Sequence, residues 1–243
     1  MVENRIALEG LSLVVRGVFA PSIVSPAWFK AAELVGDIEV GDAAVELIAR
    51  DIASFSMDWL EVHVTPDTFQ VTTASVEEFP RLRDVMLGVL RVLDQAPVGA
   101  LGINRYFHAS VESASALHRI GDRIVPKDDW ADLLHLPGTR SATLWGVRTD
   151  GYGGRVQLQI EPSFKVEQAV FVAVNDHFDL TLVPSHPASR EEALAGNGPR
   201  DPDVEPTLDK RHIAMRVLTG EWAASLGRAG DVLTTVLQFQ EKQ

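Results

Sequence analysis

Chemistry-bearing residues are densest in "NDHFDL", 175–180, where Asp176, His177 and Asp179 follow the apolar run "AVFVAV". Imidazole and carboxylate groups are ligands for a divalent cation, and His186 further along could complete a set. Strand parity works against this. On a continuing strand His177 and Asp179 share a face while Asp176 points to the other, so at most two converge without outside help. A metal site normally takes three or four ligands, so Asp176, His177 and Asp179 are weak metal candidates and the polar end of a strand is the simpler reading. The second concentration is "GINRYFH", 102–108, whose Asn104, Arg105 and His108 are donors able to clamp a carboxylate or phosphate. There Asn104, Tyr106 and His108 face one way and Arg105 the other, where an acidic residue across the sheet is its expected partner. Asn104, Arg105, His108 and His177 are the candidate ligand-binding residues, and no residue stands out as catalytic.

Other motifs are missing or structural. The chain has neither an HExxH pair nor a GxSxG elbow. "DGYGGR", 150–155, lacks the lysine and following helix of a phosphate loop and reads as a hairpin turn. His63 lies on the polar face of a hairpin, and the five tryptophans are expected in a core or an interface.

Periodicity supplies the elements that hold these residues. "LSLVVRGVF" (11–19) reads as a buried strand, and "SPAWFKAAELVG" (25–36) as a short helix with Ser25 as N-cap and Gly36 as stop. In 43–57 helical and strand periods compete, with strand favoured for the second half. "WLEVHVTPDTFQVTT" is a β-hairpin: Leu60, Val62 and Val64 alternate with polar residues, and Pro66 and Asp67 make the turn. Phe79, Leu82, Val85, Met86, Val89, Leu90 and Leu93 then share one helical face, with Ser75 and Glu78 at capping-box spacing. "VGALGINRYFHASVE" is extended. "RIVPKDDWADLLHLPG" reads as a short helix entered through Pro126, "SATLWGVRTDGYGGRVQLQIEP" as strand, turn and strand, and "FKVEQAVFVAVNDHF" as a long strand. A Pro-, Gly- and Asp-rich loop (183–206) leads to a helical segment from Thr207, interrupted at Gly220, Gly227 and Gly230.

The fold class expected is α+β, with one or two antiparallel sheets packed against helices. Two weak internal matches, 23–36 over 124–138 and 62–71 over 158–166, suggest a duplicated strand-helix-strands-helix unit. The chain then divides into an N-terminal half, 1–113, and a C-terminal half, 114–243, packed as two domains or as one.

Composition narrows the partners. With 46% hydrophobic and 23% charged residues this is a globular composition, and no apolar stretch approaches the roughly 20 residues that span a bilayer. Zero cysteines exclude disulfides, thiolate metal sites and a cysteine nucleophile. A formal charge of −12 opposes nucleic-acid binding. The start, "MVENRIALEGLSLVV", has no secretory-signal pattern, so the expected location is cytoplasmic.

"VHVTPDTFQVTT", a capped helix, "LGINRY" and then "VNDHFD" before a C-terminal helix together resemble a sporadically distributed bacterial family of α+β proteins of unassigned function. The resemblance covers about two thirds of the chain as pattern. It implies a protein carried in accessory or mobile operons and acting beside other gene products. The expected function is non-enzymatic: a protein-binding or regulatory subunit whose partner is another protein or itself, with no cofactor. The alternatives are a small-molecule binder or enzyme with a pocket between sheet and helices that uses Arg105, His108 or His177, and an acidic mimic of nucleic acid.

Overall fold

The computed structural model describes residues 3–182 and 205–241. Nine strands form one antiparallel sheet, in the order β2-β3-β4-β5-β1-β6-β9-β8-β7. The strands are β1 (Ile6–Gly17), β2 (Ala43–Ile48), β3 (Ala53–Met57), β4 (Leu60–Thr65), β5 (Thr68–Thr73), β6 (Val98–Ser110), β7 (Ala142–Val147), β8 (Tyr152–Pro162) and β9 (Ala169–Leu182). The described α-helices are α1 (Pro26–Ala31), α2 (Asp37–Gly41), α3 (Phe79–Val92), α4 (Ala114–Ile124), α5 (Leu208–Gly220) and α6 (Trp222–Gln238). They pack on one face. Leu11, Leu13 and Val15 of β1 and Leu101, Ile103 and Phe107 of β6, all essentially inaccessible, point into that layer. Strand parity then turns Ser12, Asn104, Tyr106 and His108 to the opposite face.

The path runs twice through the same sequence of moves. β1 leaves through α1 and α2 to the far edge, and β2 to β5 return as a meander that pairs with β1 before α3 covers it. β6 leaves through α4 to the other edge, and β7 to β9 return to pair with β6 before α5 and α6 cover them. The two units join where β1 pairs with β6, from Ile6 opposite Ala109 to Gly17 opposite Val98. In this path β6 opens the second unit. One continuous sheet unites them.

Local expectations fare unevenly. Ser25 caps α1 by accepting the Trp28 amide at 3.2 Å, and the 60–73 hairpin pairs Val62 with Val71 and Val64 with Phe69. α3 buries the expected face, but it starts at Phe79 after a 3₁₀ turn, and the Ser75 side chain makes no cap. Both halves of 43–57 are strand. The helix expected over 123–138 lies elsewhere: Ser113 caps α4 at 3.1 Å from the Ala116 amide, and Val125 ends it. Beyond it come a 3₁₀ turn (Asp128–Trp130) and bends, since Trp130, Leu133, Leu134 and Leu136 find no layer among the described residues to bury against and are 49%, 75%, 53% and 84% exposed. α5 ends at Gly220, and Glu221 separates it from α6. Gly227 and Gly230 do not break α6, because its buried stripe of Trp222, Ser225, Ala229, Leu233 and Val236 outweighs a cost of about 1 kcal/mol per glycine. His186 and most of the Pro- and Gly-rich loop fall in 183–204, outside the described residues.

Candidate functional site

β6 and β9 pair in long register and divide the candidate residues between the two faces of the sheet. On the helix side Ile103 stands opposite Asp176 and Arg105 opposite Val174. On the open side Gly102 stands opposite His177, Asn104 opposite Asn175 and His108 opposite Phe171. Arg105 and His108 therefore cannot meet in one pocket.

Arg105 and Asp176 serve the interior. Arg105 donates to Glu9 at 2.6 Å and to the Leu226 carbonyl of α6 at 3.3 Å, with its guanidinium 4.7 Å from the Phe107 ring centroid. Asp176, 1% exposed, accepts from Arg148 on one oxygen and from Arg228 of α6 on the other. Arg148 lies over Phe178, 3.5 Å from the centroid, and also bonds Asp150 in the β7–β8 turn. Burial pushes the Asp150 carboxyl up, but the hydrogen bond and charge of Arg148 outweigh it and hold it below the ordinary 3.8. This is a lock between sheet, turn and helix.

His177 and Asp179 share the open face, with His177 Nε2 and Asp179 Oδ1 3.0 Å apart. Asp176 stands on the other face, and among the described residues no group of three or more His, Cys, Asp or Glu side chains is gathered for a metal.

The open face is ordered in rows. Glu61, Thr72, Ser12, Asn104, Asn175, Gln157 and Trp145 lie in register across seven strands. Thr72 donates to Ser12 at 3.1 Å, while the Oδ1 atoms of Asn104 and Asn175 are shielded from solvent and take no hydrogen bond among the described residues. The neighbouring row contains Gly10, where a Cβ would collide with the Tyr106 ring lying across it. Burial, and secondarily the charge of Glu61, raises the Tyr106 pKa above 10.0.

At one end of this face the rings of His108 and Phe171 are 4.9 Å apart and those of Tyr106 and Phe171 6.3 Å apart. Together with Glu161, Phe164 and Lys165 they line an open cleft of about 360 Å³. His108 is 4% exposed, and its Nδ1 lies 2.8 Å from the Ser163 hydroxyl. Of these, Tyr106 and His108 share one local segment, and Glu161, Ser163, Phe164 and Lys165 share another, 161–165. Phe171, Glu161 and Ser163 reach the site through strand register and the β8–β9 turn, which residue spacing alone does not encode.

No protein-family model matches the chain, and no curated protein matches it either.

Two outcomes follow. Asp176→Asn removes the carboxylate shared by Arg148 and Arg228 and leaves Arg148 with Asp150 as its one anionic partner among the described residues, which costs about 1–3 kcal/mol. A urea midpoint that falls with an unchanged slope would register it. His108 is held below its ordinary 6.5 by burial and then by the Lys165 charge. The unfolded chain therefore binds this proton more readily, so the His108 contribution to stability is complete above 6.5 and declines as pH falls through the folded value. An imidazole NMR titration should give a midpoint below 6.5, and His108→Asn should remove that part of the acid limb.

Proposed function

We propose that the protein is a non-enzymatic binding or regulatory subunit, and that its occupant is an extended segment of another polypeptide added along β7. The observation that carries this is a contrast between the two edges of the sheet. β2 has a bulge between Val45 and Leu47, and its Glu46 accepts from Ser54 at 2.7 Å, both devices that blunt strand addition. β7, "ATLWGV", pairs with β8 in unbroken register and carries no charge, proline or bulge. An edge strand offers a row of backbone donors and acceptors that only another strand can match, so the chemistry of the occupant follows from the edge itself.

Apolar surface adjoins this edge. Leu144 is 45% exposed, and the residues leading into β7 include the exposed Trp130, Leu133, Leu134 and Leu136. A chain of net charge −12 favours a neutral or basic partner over a second copy of itself. The reading with a pocket between sheet and helices has less support. That layer is filled by the buried cores, and the cavity beneath α4, lined by Ile120, Ile160 and Val170, measures about 60 Å³. No described helix is long and apolar enough to cross a membrane.

Native mass spectrometry of the protein recovered gently from its own host tests this, with 26.6 kDa as the mass of the single chain. The expected result is a stoichiometric second polypeptide that is lost with Leu144→Lys, at a cost of about tenfold or more in affinity. A lone chain, a homodimer, or a complex indifferent to Leu144→Lys would contradict the reading.

A further inference from the structure

The aromatic cleft on the open face stands apart from strand addition at β7, and its chemistry is specific enough to name a ligand class. We infer that the cleft formed by Tyr106, His108, Phe171, Phe164 and Lys165 binds a small planar aromatic monoanion, an aryl carboxylate of one or two fused rings.

The tautomer of His108 comes first. Ser163 Oγ accepts the backbone amides of Lys165 at 3.2 Å and Val166 at 2.9 Å, so its lone pairs are engaged and its one proton is left for His108 Nδ1. Nδ1 is then the acceptor and Nε2 carries the hydrogen. Burial and the nearby Lys165 charge keep the ring neutral, consistent with that assignment. Nδ1 to Ser163 is the one hydrogen bond His108 makes among the described residues, so the Nε2 hydrogen remains a donor for whatever occupies the cleft.

The walls supply the rest. Tyr106 and Phe171 offer ring surfaces to a planar guest, and Phe164, 82% exposed in the β8–β9 turn, is an aromatic side chain with almost no protein to pack on. Lys165 makes no ion pair among the described residues and brings a positive charge to the same cleft in an otherwise acidic protein. Glu161 lines it too, its carboxylate accepting from Gln159 at 3.1 Å, and this second charge disfavours a dianion such as a phosphate monoester. A volume of about 360 Å³ sits at the small end of ligand pockets, which are typically about 300–1,000 Å³, and suits one or two rings. One carboxylate can then meet both the Nε2 hydrogen and the Lys165 ammonium while its ring lies against Phe171.

Sodium naphthoate is the probe, with naphthalenemethanol as its uncharged counterpart, titrated into the full chain while the His108 imidazole nitrogen resonances are followed. The inference expects a saturable shift at Nε2 with naphthoate and weaker binding of the alcohol. Phe171→Leu should weaken naphthoate about three- to tenfold through lost ring contact. Lys165→Gln, at an exposed turn position that leaves folding intact, should weaken naphthoate about two- to fivefold and leave the alcohol unchanged. The absence of a saturable shift would overturn the site. Equal affinity for the two probes, or indifference of naphthoate to Lys165→Gln, would overturn the anion assignment.

Discussion

Everything in this protein hangs on the pairing of β1 with β6. Each strand opens one of the two topological units, and their antiparallel register makes a single sheet of what would otherwise be two smaller ones. On the helix side the seam is apolar: Leu13 opposite Ile103 and Val15 opposite Leu101, each worth about 1.5–3 kcal/mol in burial. Arg105, opposite Leu11, breaks that pattern. Its partial desolvation is offset by Glu9 on β1 and by the carbonyl of Leu226, so one half-buried cation ties both central strands to α6. Asp176 repeats the device one strand further out, using Arg148 from the β7–β8 turn and Arg228 from α6. The helix layer of the second unit is thus fixed by specific ion pairs as well as by packing.

Placing the described helices on one face has a functional consequence. Among the described residues the interior between the layers is a filled core, which leaves the sheet edges and the open face as the accessible surfaces. Polar rows such as Ser12, Asn104, Asn175 and Gln157 keep that face compatible with water, as expected for an antiparallel sheet covered on one side. The aromatic cluster around His108 interrupts the polar rows. The uncharged β7 edge is the corresponding exception among the strands.

Much of this was legible in the residues. Alternation in "LEVHVT" and "TFQVTT" specified a hairpin because one face is buried and the other wet. Parity alone separated Arg105 from Asn104 and His108, and Asp176 from His177 and Asp179, and the observed register agrees. Of the two segments matched internally, 23–36 holds α1, whereas 125–138 holds a 3₁₀ turn. Long-range pairing was out of reach. Nothing local to Asp176 announces Arg148 or Arg228, and nothing in "GINRYFH" announces Ser163 or Phe171, since each meeting depends on strand order and on a turn. The exposed apolar run 130–136 misled for the opposite reason: its period is helical, but among the described residues no surface is there to reward a helix.

The proposed role of β7 is that of an edge strand completed by a strand from another polypeptide. Amide hydrogen exchange across residues 142–147, compared between the isolated chain and the complex recovered from its host, addresses it most directly. Strand addition predicts that outward-facing amides of β7 slow markedly in the complex while those of β2 at the opposite edge are unchanged. Identical exchange along β7 in the two states would contradict strand addition there, and slowing confined to β2 would place the partner on the opposite edge.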